Sequence, residues 1–226
     1  MPIVWNTLWS VIKICRMELI GICGGIGSGK SVVSRILRLR GYEVYDCDYE
    51  ARILMSESDE VRRALTGRWG EEIYHVDGSL DRKAVSAIVF ADDAQRLWLN
   101  ELVHGMVRDD IISWKRERSN KICFVESAIL FESGVAAMCD SIWHVVASPQ
   151  VRRERIMKRS GMSMDRAEAC MASQLNERQL LEQSGRTVME IPNYGASASD
   201  SLLLTIDELC KEFTHSKNSD TRIATY

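Results

Sequence analysis

The sequence predicts an α/β fold in which helices cover both faces of a parallel β-sheet. Three observations support this prediction. Short apolar runs alternate along the chain with longer amphipathic segments, which is the order of strands and helices in such folds. The apolar runs are continuous, as is typical of strands that are buried on both faces. The 226 residues are 46% apolar and 27% charged, so the chain can bury a sizeable core.

The first predicted unit is a strand, a glycine-rich loop and a helix. The apolar residues 19–23 form the strand, and the helix is expected to begin near Lys30. It is expected to end at Arg40-Gly41, where a basic last turn meets a glycine. The helix carries four apolar residues that we expect in the core, namely Val32, Val33, Ile36 and Leu37.

The remaining elements continue this alternation. A second strand at 42–45 leads into Asp46-Cys47-Asp48, and a largely helical stretch then continues to about residue 118, interrupted by the Asp77-Gly78 turn. The later predicted elements are two buried strands (122–125 and 142–146), a highly charged helical region (150–183), a last strand (186–191) and an amphipathic helix (201–213).

The two ends of the chain are expected to lie outside a single folded domain at 17–213. Residues 1–16 are partly apolar but shorter than the roughly 20 residues that a membrane-spanning helix needs, and they lack the features of a secretory signal. We therefore expect a non-essential extension and no membrane attachment. Residues 214–226 are polar and aperiodic and are expected to form a frayed tail.

Composition argues against several classes of function. The 29 basic and 32 acidic residues give a formal net charge of -3, unlike a strongly basic nucleic-acid-binding domain, so no nucleic-acid partner is expected. The 7 cysteines are odd in number and form no Cys-x-x-Cys pair, which argues against a disulfide framework or a zinc site. Reduced thiols in a cytoplasmic protein are the favoured interpretation. Nothing in the sequence specifies an oligomeric state.

Residues 24–31 (GGIGSGKS) form a glycine-rich loop of a recognised phosphate-binding type. The glycines let backbone N–H groups point at phosphate oxygens, and the following helix adds the positive end of its dipole. Lys30 can reach the β- and γ-phosphates, and the Ser31 hydroxyl can bind Mg²⁺. The pattern predicts a nucleoside triphosphate site formed by Gly25, Ile26, Gly27, Ser28, Gly29, Lys30, Ser31 and Val32.

Two aspartates follow the second predicted strand, at the edge where parallel sheets bind ligands. If Asp46 and Asp48 are extended, their side chains point to the same side, and a carboxylate there could orient an acceptor hydroxyl and take its proton. The structural alternative is a turn in which Asp48 caps the next helix.

The order of several motifs gives the chain a resemblance to the dephospho-CoA kinase family. The resemblance covers roughly residues 18–213 and is carried by GGIGSGKS, Asp46-Cys47-Asp48, Ala51-Arg52, DGSLDR at 77–82, Phe90, His104, Leu130-Phe131-Glu132, Ser148-Pro149, Arg155, Arg159 and Gln174. Many families share the loop, but the ordered combination is far more specific. The resemblance implies a P-loop kinase core, a helical substrate domain at about 52–118 and a lid at about 151–183.

The resemblance also implies an activity and a set of site residues. The activity is transfer of the γ-phosphoryl group of ATP, with Mg²⁺, to the ribose 3′-hydroxyl of dephospho-CoA, which gives CoA and ADP. The implied catalytic residues are Asp48 as the base, Lys30, Arg155 and Arg159, and the implied substrate-binding residues are Asp46, Arg52, Asp81, Arg82 and His104. Glu126 ends a predicted strand where P-loop proteins often keep a metal-associated acid, and we expect it to assist Mg²⁺.

The predicted lid carries an arginine face of its own. Arg152, Arg155 and Arg159 recur at i, i+3 and i+7, so they share one side of a helix. Like charges at this spacing repel each other by a few tenths of a kcal/mol per pair unless an anion lies among them. Phosphate binding is therefore favoured after a phosphate-binding loop, and the alternative is a solvated face balanced by nearby acids.

Two other functions remain open from the sequence. One is a kinase of another nucleoside or nucleotide, which would share the loop and the lid. The other is a non-catalytic protein in which ATP orders the lid as a switch. A GTPase is disfavoured, because the nearest candidate for a guanine-reading Asn-Lys-x-Asp segment, at Asn120-Lys121, lacks the acid.

Overall fold

A computed structural model describes residues 17–172, 174, 177–194 and 202–211, and its central element is a five-stranded sheet. The strands are β1 (Glu18–Cys23), β2 (Glu43–Asp46), β3 (Ile122–Glu126), β4 (Ser141–Val146) and β5 (Thr187–Pro192). Their order is β2-β3-β1-β4-β5, and all four neighbouring pairs are parallel. The predicted parallel sheet is confirmed, with strand bounds within one or two residues of those expected.

Helices connect the strands, as parallel pairing requires. They are α1 (Lys30–Leu39), α2 (Cys47–Glu57), α3 (Asp59–Trp69), α4 (Arg82–Ala91), α5 (Asp93–Arg116), α6 (Pro149–Ser160), α7 (Met164–Ala172), α8 (Glu177–Gln183) and α9 (202–211). Two short 3₁₀ helices lie at Glu71–Ile73 and Val135–Met138. In the part of the chain that the structure describes, no helix is both long and apolar enough to cross a membrane. The predicted extension at 1–16 and tail at 214–226 lie outside the described residues.

The sheet is buried on both faces, because successive residues of each strand point to opposite sides. Leu19 of β1 packs in one core cluster with Ile111 of α5, whereas the next residue, Ile20, packs in a second cluster with Leu37 of α1. Ile206 of α9 joins the second cluster. The continuous apolar runs in the sequence are therefore explained by helices on both sides.

Helix α1 corrects one expectation about the core. Val33 and Leu37 are fully buried and Ile36 is partly buried, but the Val32 side chain is 49% exposed. Val33 and Leu37 lie four residues apart on the row that faces the sheet, and each step along a helix turns by about 100°. Val32 is therefore rotated away from the core, beside the open end of the loop.

Helices α3, α4 and α5 share a third cluster, which is separate from the two clusters on the sheet. Val61 and Leu65 of α3 pack there with Val85 of α4, and Leu102 of α5 lies against them. The residues of this cluster come from the helical stretch after β2 and include none from a strand, so this stretch has an apolar centre of its own.

The third cluster is expected to be sensitive to truncation. Leu65 is 0% exposed, so Leu65→Ala should lower the free energy of unfolding by about 2–5 kcal/mol through lost apolar contact and the cavity left behind. Leu39→Ala is the matched control, because Leu39 is 75% exposed at the end of α1, and it should change stability by less than about 0.5 kcal/mol. Urea unfolding of both variants measures the difference, and equal losses would contradict a packed third cluster.

Candidate active site

The glycine-rich loop joins β1 to α1 and needs its glycines. Gly24, Gly27 and Gly29 have φ values of 146°, 80° and 99°, which side chains disfavour. A Cβ atom on Gly24 would also collide with the carbonyl oxygen of Val145. Gly29 is the N-cap of α1, so the loop ends at the positive end of the helix dipole.

Three carbonyl groups of the loop point toward helix α6, which begins the predicted lid. The Ile26 oxygen accepts a hydrogen bond from Nε of Arg152 at 2.8 Å. The Gly27 and Ser28 oxygens accept from Nη1 of Arg155 at 3.2 and 2.9 Å. In a trans peptide the carbonyl and the following N–H point in opposite directions, so the N–H groups after these carbonyls turn away from the arginines. This is the arrangement that a phosphate-binding loop requires.

Lys30 lies at the first position of α1, within the loop and near two carboxylates. Its Nζ donates a hydrogen bond to the carbonyl oxygen of Gly24 at 2.5 Å. Its charge lowers the pKa values of Asp48 and Glu126, but burial and the charge of Asp46 raise them by more. The ammonium group therefore stands between the glycine-rich loop and the acidic end of the sheet.

The two aspartates do not have the extended arrangement that was expected. Asp46 ends β2 and accepts a hydrogen bond from the N–H of Tyr49 at 3.0 Å, so Asp46 is the N-cap of α2. Asp48 is a residue of the first helical turn, and the alternative in which Asp48 is the cap is also wrong. The helix starts one residue after the strand because the Asp46 carboxylate satisfies one of its unpaired N–H groups.

Asp48 has an environment that suits a proton acceptor. The surrounding protein removes part of its water and Asp46 adds a like charge, and both effects raise the pKa of Asp48. Lys30 and Arg52 oppose them. Part of the Asp48 side chain nevertheless stays exposed, so an acceptor can approach it.

Glu126 ends β3 and lies beside the end of β2. It is in register with Asp46 on one side and with Ile22 of β1 on the other. Burial raises the pKa of Glu126, Asp46 raises it further, and the Ser34 hydroxyl and the charge of Lys30 lower it. Within the described ranges, no group of three or more His, Cys, Asp or Glu residues is arranged to hold a metal ion.

The predicted lid arginines differ in their surroundings. Arg155 contacts the loop as described, and its Nη2 also donates to Oδ1 of Asn193 at 2.9 Å. Arg159, one turn further along α6, is exposed and makes no hydrogen bond to the loop in the described structure. Arg152, which the sequence places on the predicted phosphate-binding face, instead donates to the Ile26 carbonyl oxygen of the loop and to Gln174.

The predicted substrate-binding residues are only partly brought together. Arg52 belongs to α2, where its side chain donates to the Asp48 carbonyl oxygen at 3.0 Å, and Arg82 of α4 reaches the same helix by donating to Oγ of Ser56 at 3.3 Å. Asp81 instead caps α4, where its carboxylate accepts from two backbone N–H groups at 2.9 and 3.0 Å. His104 is half-buried in α5, and burial, with the charge of Arg108, lowers its pKa.

Two amide side chains at the loop received no role from the sequence. Oε1 of Gln174 accepts from the Ile26 N–H at 2.8 Å and from Nη2 of Arg152 at 2.7 Å. Asn193 bridges Arg155 and the Ser28 carbonyl oxygen. The usable signal for Asn193 is its position, because it follows β5 directly at the edge where parallel sheets bind ligands.

A cavity of about 280 Å³ lies between the loop and the helical segment that follows β4. It is lined by loop residues Gly25 and Ser28, by the end of β4, by Arg152 of α6 and by Gln174, which lies between α7 and α8. Polar groups therefore line the space beside the phosphate-binding loop.

A phosphate loop at the carboxyl edge of a parallel sheet, with a lysine, acidic strand ends and the arginines of α6 around it, defines the class of P-loop kinases. A family model described as dephospho-CoA kinase matches residues 18–192. The chain belongs to the dephospho-CoA kinase family, and the predicted resemblance is confirmed.

Named relatives agree with this assignment, and solved structures share the fold. A dephospho-CoA kinase of Porphyromonas gingivalis is 41% identical over 177 residues, which cover 78% of this chain and 87% of that protein. One from Geobacter sulfurreducens is 34% identical over 182 residues, covering 79% and 91%. A crystal structure from Thermus thermophilus matches with a TM-score of 0.70 and 30% identity, covering 87% of this chain and 98% of that one. Dephospho-CoA kinase from Campylobacter jejuni shares the fold, with a TM-score of 0.64, 20% identity and coverage of 88% and 98%.

Proposed function

We propose that this chain transfers the γ-phosphoryl group of ATP to the ribose 3′-hydroxyl of dephospho-CoA, giving CoA and ADP. The observation that carries this proposal is the position of Asp48, an ionisable and accessible carboxylate, beside Lys30 of the phosphate loop. The bond between the γ-phosphorus and the β,γ-bridging oxygen breaks, and a bond to the 3′-oxygen forms. The hydroxyl proton passes to the Asp48 carboxylate.

The loop residues have distinct proposed roles in holding ATP. Residues 25–32 would hold the phosphates chiefly through the N–H groups of Gly27 and Gly29, because the N–H groups of Ile26, Ser28 and Val32 already donate to Gln174, Gly25 and Gly29. The Lys30 ammonium would neutralise charge on the β- and γ-phosphates. The outward carbonyls of Ile26 and Ser28 support this role, because their bonds to Arg152 and Arg155 leave the Gly27 and Gly29 N–H groups turned the other way.

Mg²⁺ is the proposed metal, and the residues present fit it. The donors available are the Ser31 hydroxyl at the start of α1 and the oxygens of Glu126 and Asp46, all of the hard oxygen type that Mg²⁺ prefers. Mg²⁺ commonly takes few protein ligands and completes its shell with phosphates and water, so a protein cage is not needed. When bound, the metal would neutralise phosphate charge.

The lid arginines are proposed to stabilise the transferring phosphoryl group. Arg159 is exposed on the same helix face as Arg155, so closure of the lid segment at about 151–183 could bring its planar group to the phosphate oxygens. In the described structure Arg155 donates to the Gly27 and Ser28 carbonyl oxygens and to Asn193, so it would reach the phosphoryl group only through the same closure. Such a residue can contribute roughly 10³-fold or more to the rate.

The helical segment at about 52–118 is proposed to form the acceptor side. The third apolar cluster supports an acceptor-binding role for this segment. It gives the segment a hydrophobic core that packs against α2, the helix that carries Asp48. Arg52, Arg82 and His104 are the proposed polar contacts with dephospho-CoA, and Asp46 would support Asp48. Asp81 is proposed to act through its cap on α4.

A cytoplasmic location is also part of the proposal, with ATP and dephospho-CoA as partners and no nucleic acid. It is supported by the cysteines, since six of them, Cys23, Cys47, Cys123, Cys139, Cys170 and Cys210, are free thiols.

The pH dependence of the reaction should report the Asp48–Asp46 pair. Because the pKa of Asp48 is raised, kcat/KM should fall on acidification at a higher pH than an ordinary aspartate would give. Asp46→Asn removes the like charge but keeps a capping side chain, so it should move this acid limb to lower pH. Asp109→Asn, which removes an exposed charge on α5, is the control and should leave the profile unchanged. If the acid limb of the kcat/KM profile does not move in Asp46→Asn, the Asp46 charge does not act on Asp48.

Formation of ADP with and without dephospho-CoA tests the proposed function. Acceptor-dependent ADP from the purified protein with Mg-ATP is the expected result. Activity with a nucleoside monophosphate but not with dephospho-CoA would select the other kinase function. Tight ATP binding with no product from any acceptor would select the switch.

A further inference from the structure

The side chain of Asn193 connects three parts of the structure that lie far apart in sequence. It is 5% exposed and directly follows β5. Its Nδ2 donates to the Ser28 carbonyl oxygen at 2.9 Å, and its Oδ1 accepts from Nη2 of Arg155 at 2.9 Å. Its backbone N–H donates to the Val146 oxygen at 2.8 Å, which fixes its main chain to the end of β4. The amide therefore bridges the phosphate loop and the lid helix from a rigid position.

The Ser28 carbonyl oxygen receives two donors, from Asn193 and from Nη1 of Arg155, each at 2.9 Å. The peptide group that carries this oxygen also carries the Gly29 N–H on its opposite side. Hydrogen bonds to a carbonyl polarise its peptide group and make the N–H a stronger donor. Because Gly29 is the N-cap of α1, this N–H adds to the positive end of the helix.

Asn193 and Gly29 are also in direct contact. A Cβ atom on Gly29 would collide with Nδ2 of Asn193 and would lie 3.4 Å from Nη1 of Arg155. With a φ of 99°, Gly29 has both a conformation and a neighbour that exclude a side chain. The amide thus sets the path of the loop where it enters α1.

We propose that Asn193 is a positioning residue for phosphoryl transfer, which orients the Ser28–Gly29 peptide toward the ATP phosphates and holds the Arg155 guanidinium in place. The inference rests on the proposed ATP site. Asn193 acts through the loop and through Arg155, so its loss should weaken nucleotide binding and leave acceptor binding unchanged.

Asn193→Asp separates the two bonds of the amide. An ionised aspartate still accepts from Arg155, but it cannot donate to the Ser28 oxygen and places a negative charge against it. At about pH 8 we expect the KM for ATP and the Kd for ADP to rise about tenfold or more over wild type, with the KM for dephospho-CoA within about twofold. On acidification the carboxyl regains a proton that it can donate, so the ratio of variant to wild-type values should fall.

Two further variants complete the test. Asn193→Ala loses the hydrogen bonds to both the Ser28 carbonyl oxygen and Arg155. It should raise the KM for ATP and the Kd for ADP by a factor that does not change with pH. Asn100→Asp, the same chemical change at an exposed position on α5, should match wild type throughout. Thermal unfolding of each variant shows that it is folded, and if Asn193→Asp does not fold, the alanine variant alone tests the nucleotide effect.

The outcomes separate this inference from the proposed function. A wild-type Kd for ADP in Asn193→Ala, or a KM for dephospho-CoA that rises as much as the KM for ATP, overturns the role of Asn193. Since calorimetry of ADP binding needs no acceptor, it decides this even if the wild-type protein fails to phosphorylate dephospho-CoA. That failure would instead overturn the proposed acceptor.

Discussion

Replacing Asp48 with asparagine is expected to lower kcat by about 10²–10⁴-fold while the Kd for ATP stays within about threefold of wild type. Asparagine keeps the size of the side chain but cannot take the proton of the 3′-hydroxyl. Asp48 lies in the first turn of α2, outside the phosphate loop, so the loop should still bind nucleotide. Steady-state kinetics with saturating dephospho-CoA, together with calorimetry of ATP binding, measure the two effects separately.

The matched control for this variant is Asp59→Asn. Asp59 lies in the first turn of the neighbouring helix α3 and is exposed, so the substitution removes the same charge from a similar helix position. It should leave kcat within about twofold of wild type. If Asp48→Asn turns over at the wild-type rate, Asp48 is not the proton acceptor and another group must prepare the hydroxyl.

Lys30→Met is expected to lower kcat/KM for ATP by about 10²–10³-fold. Methionine keeps the length and apolar stem of the side chain but removes the charge that would stabilise the β- and γ-phosphates. Lys30 is also a positive charge near Asp48 and Glu126, and it lowers the pKa values of both carboxyl groups against the burial that raises them. Without Lys30, one positive charge fewer would offset the repulsion between the bound phosphates and these two carboxylates.

Lys83→Met provides the comparison, since Lys83 is exposed at the start of α4 and the structure gives its side chain no contact with the loop. Both variants should unfold at the wild-type temperature. Initial rates at varied ATP measure the effect. A Lys30→Met enzyme within about tenfold of the wild-type kcat/KM would contradict a direct role for this ammonium group in transfer.

The elements of this fold could be predicted because their signals are local. The continuous apolar run of β1, the glycines before α1 and the stop at Gly41 each depend on neighbouring residues, and the structure confirms them. The helix start at Cys47 was harder to predict, because it depends on whether Asp46 or Asp48 satisfies the first N–H groups of α2. Both aspartates are good caps, and the strand pairing of Asp46 with Glu126 decides between them.

The contacts around the loop could not be predicted, because they join residues that are more than a hundred positions apart. Gln174 and Asn193 reach the loop only when the sheet and the helices after β4 are packed together. The helical pattern of α6 places Arg152, Arg155 and Arg159 on one face, but it does not show that two of them bind loop carbonyls while the third stays exposed. The spacing of residues in the sequence shows which side chains share a helix face, but only the tertiary structure shows which groups they contact.

The most direct test of the central claim is the identity of the product formed from Mg-ATP and dephospho-CoA. Mass spectrometry and ³¹P NMR should show that dephospho-CoA gains one phosphoryl group, with a new phosphomonoester signal that is lost on treatment with a 3′-nucleotidase. ADP should form in equal amount. Release of ADP with inorganic phosphate, while dephospho-CoA stays unchanged, would contradict the account.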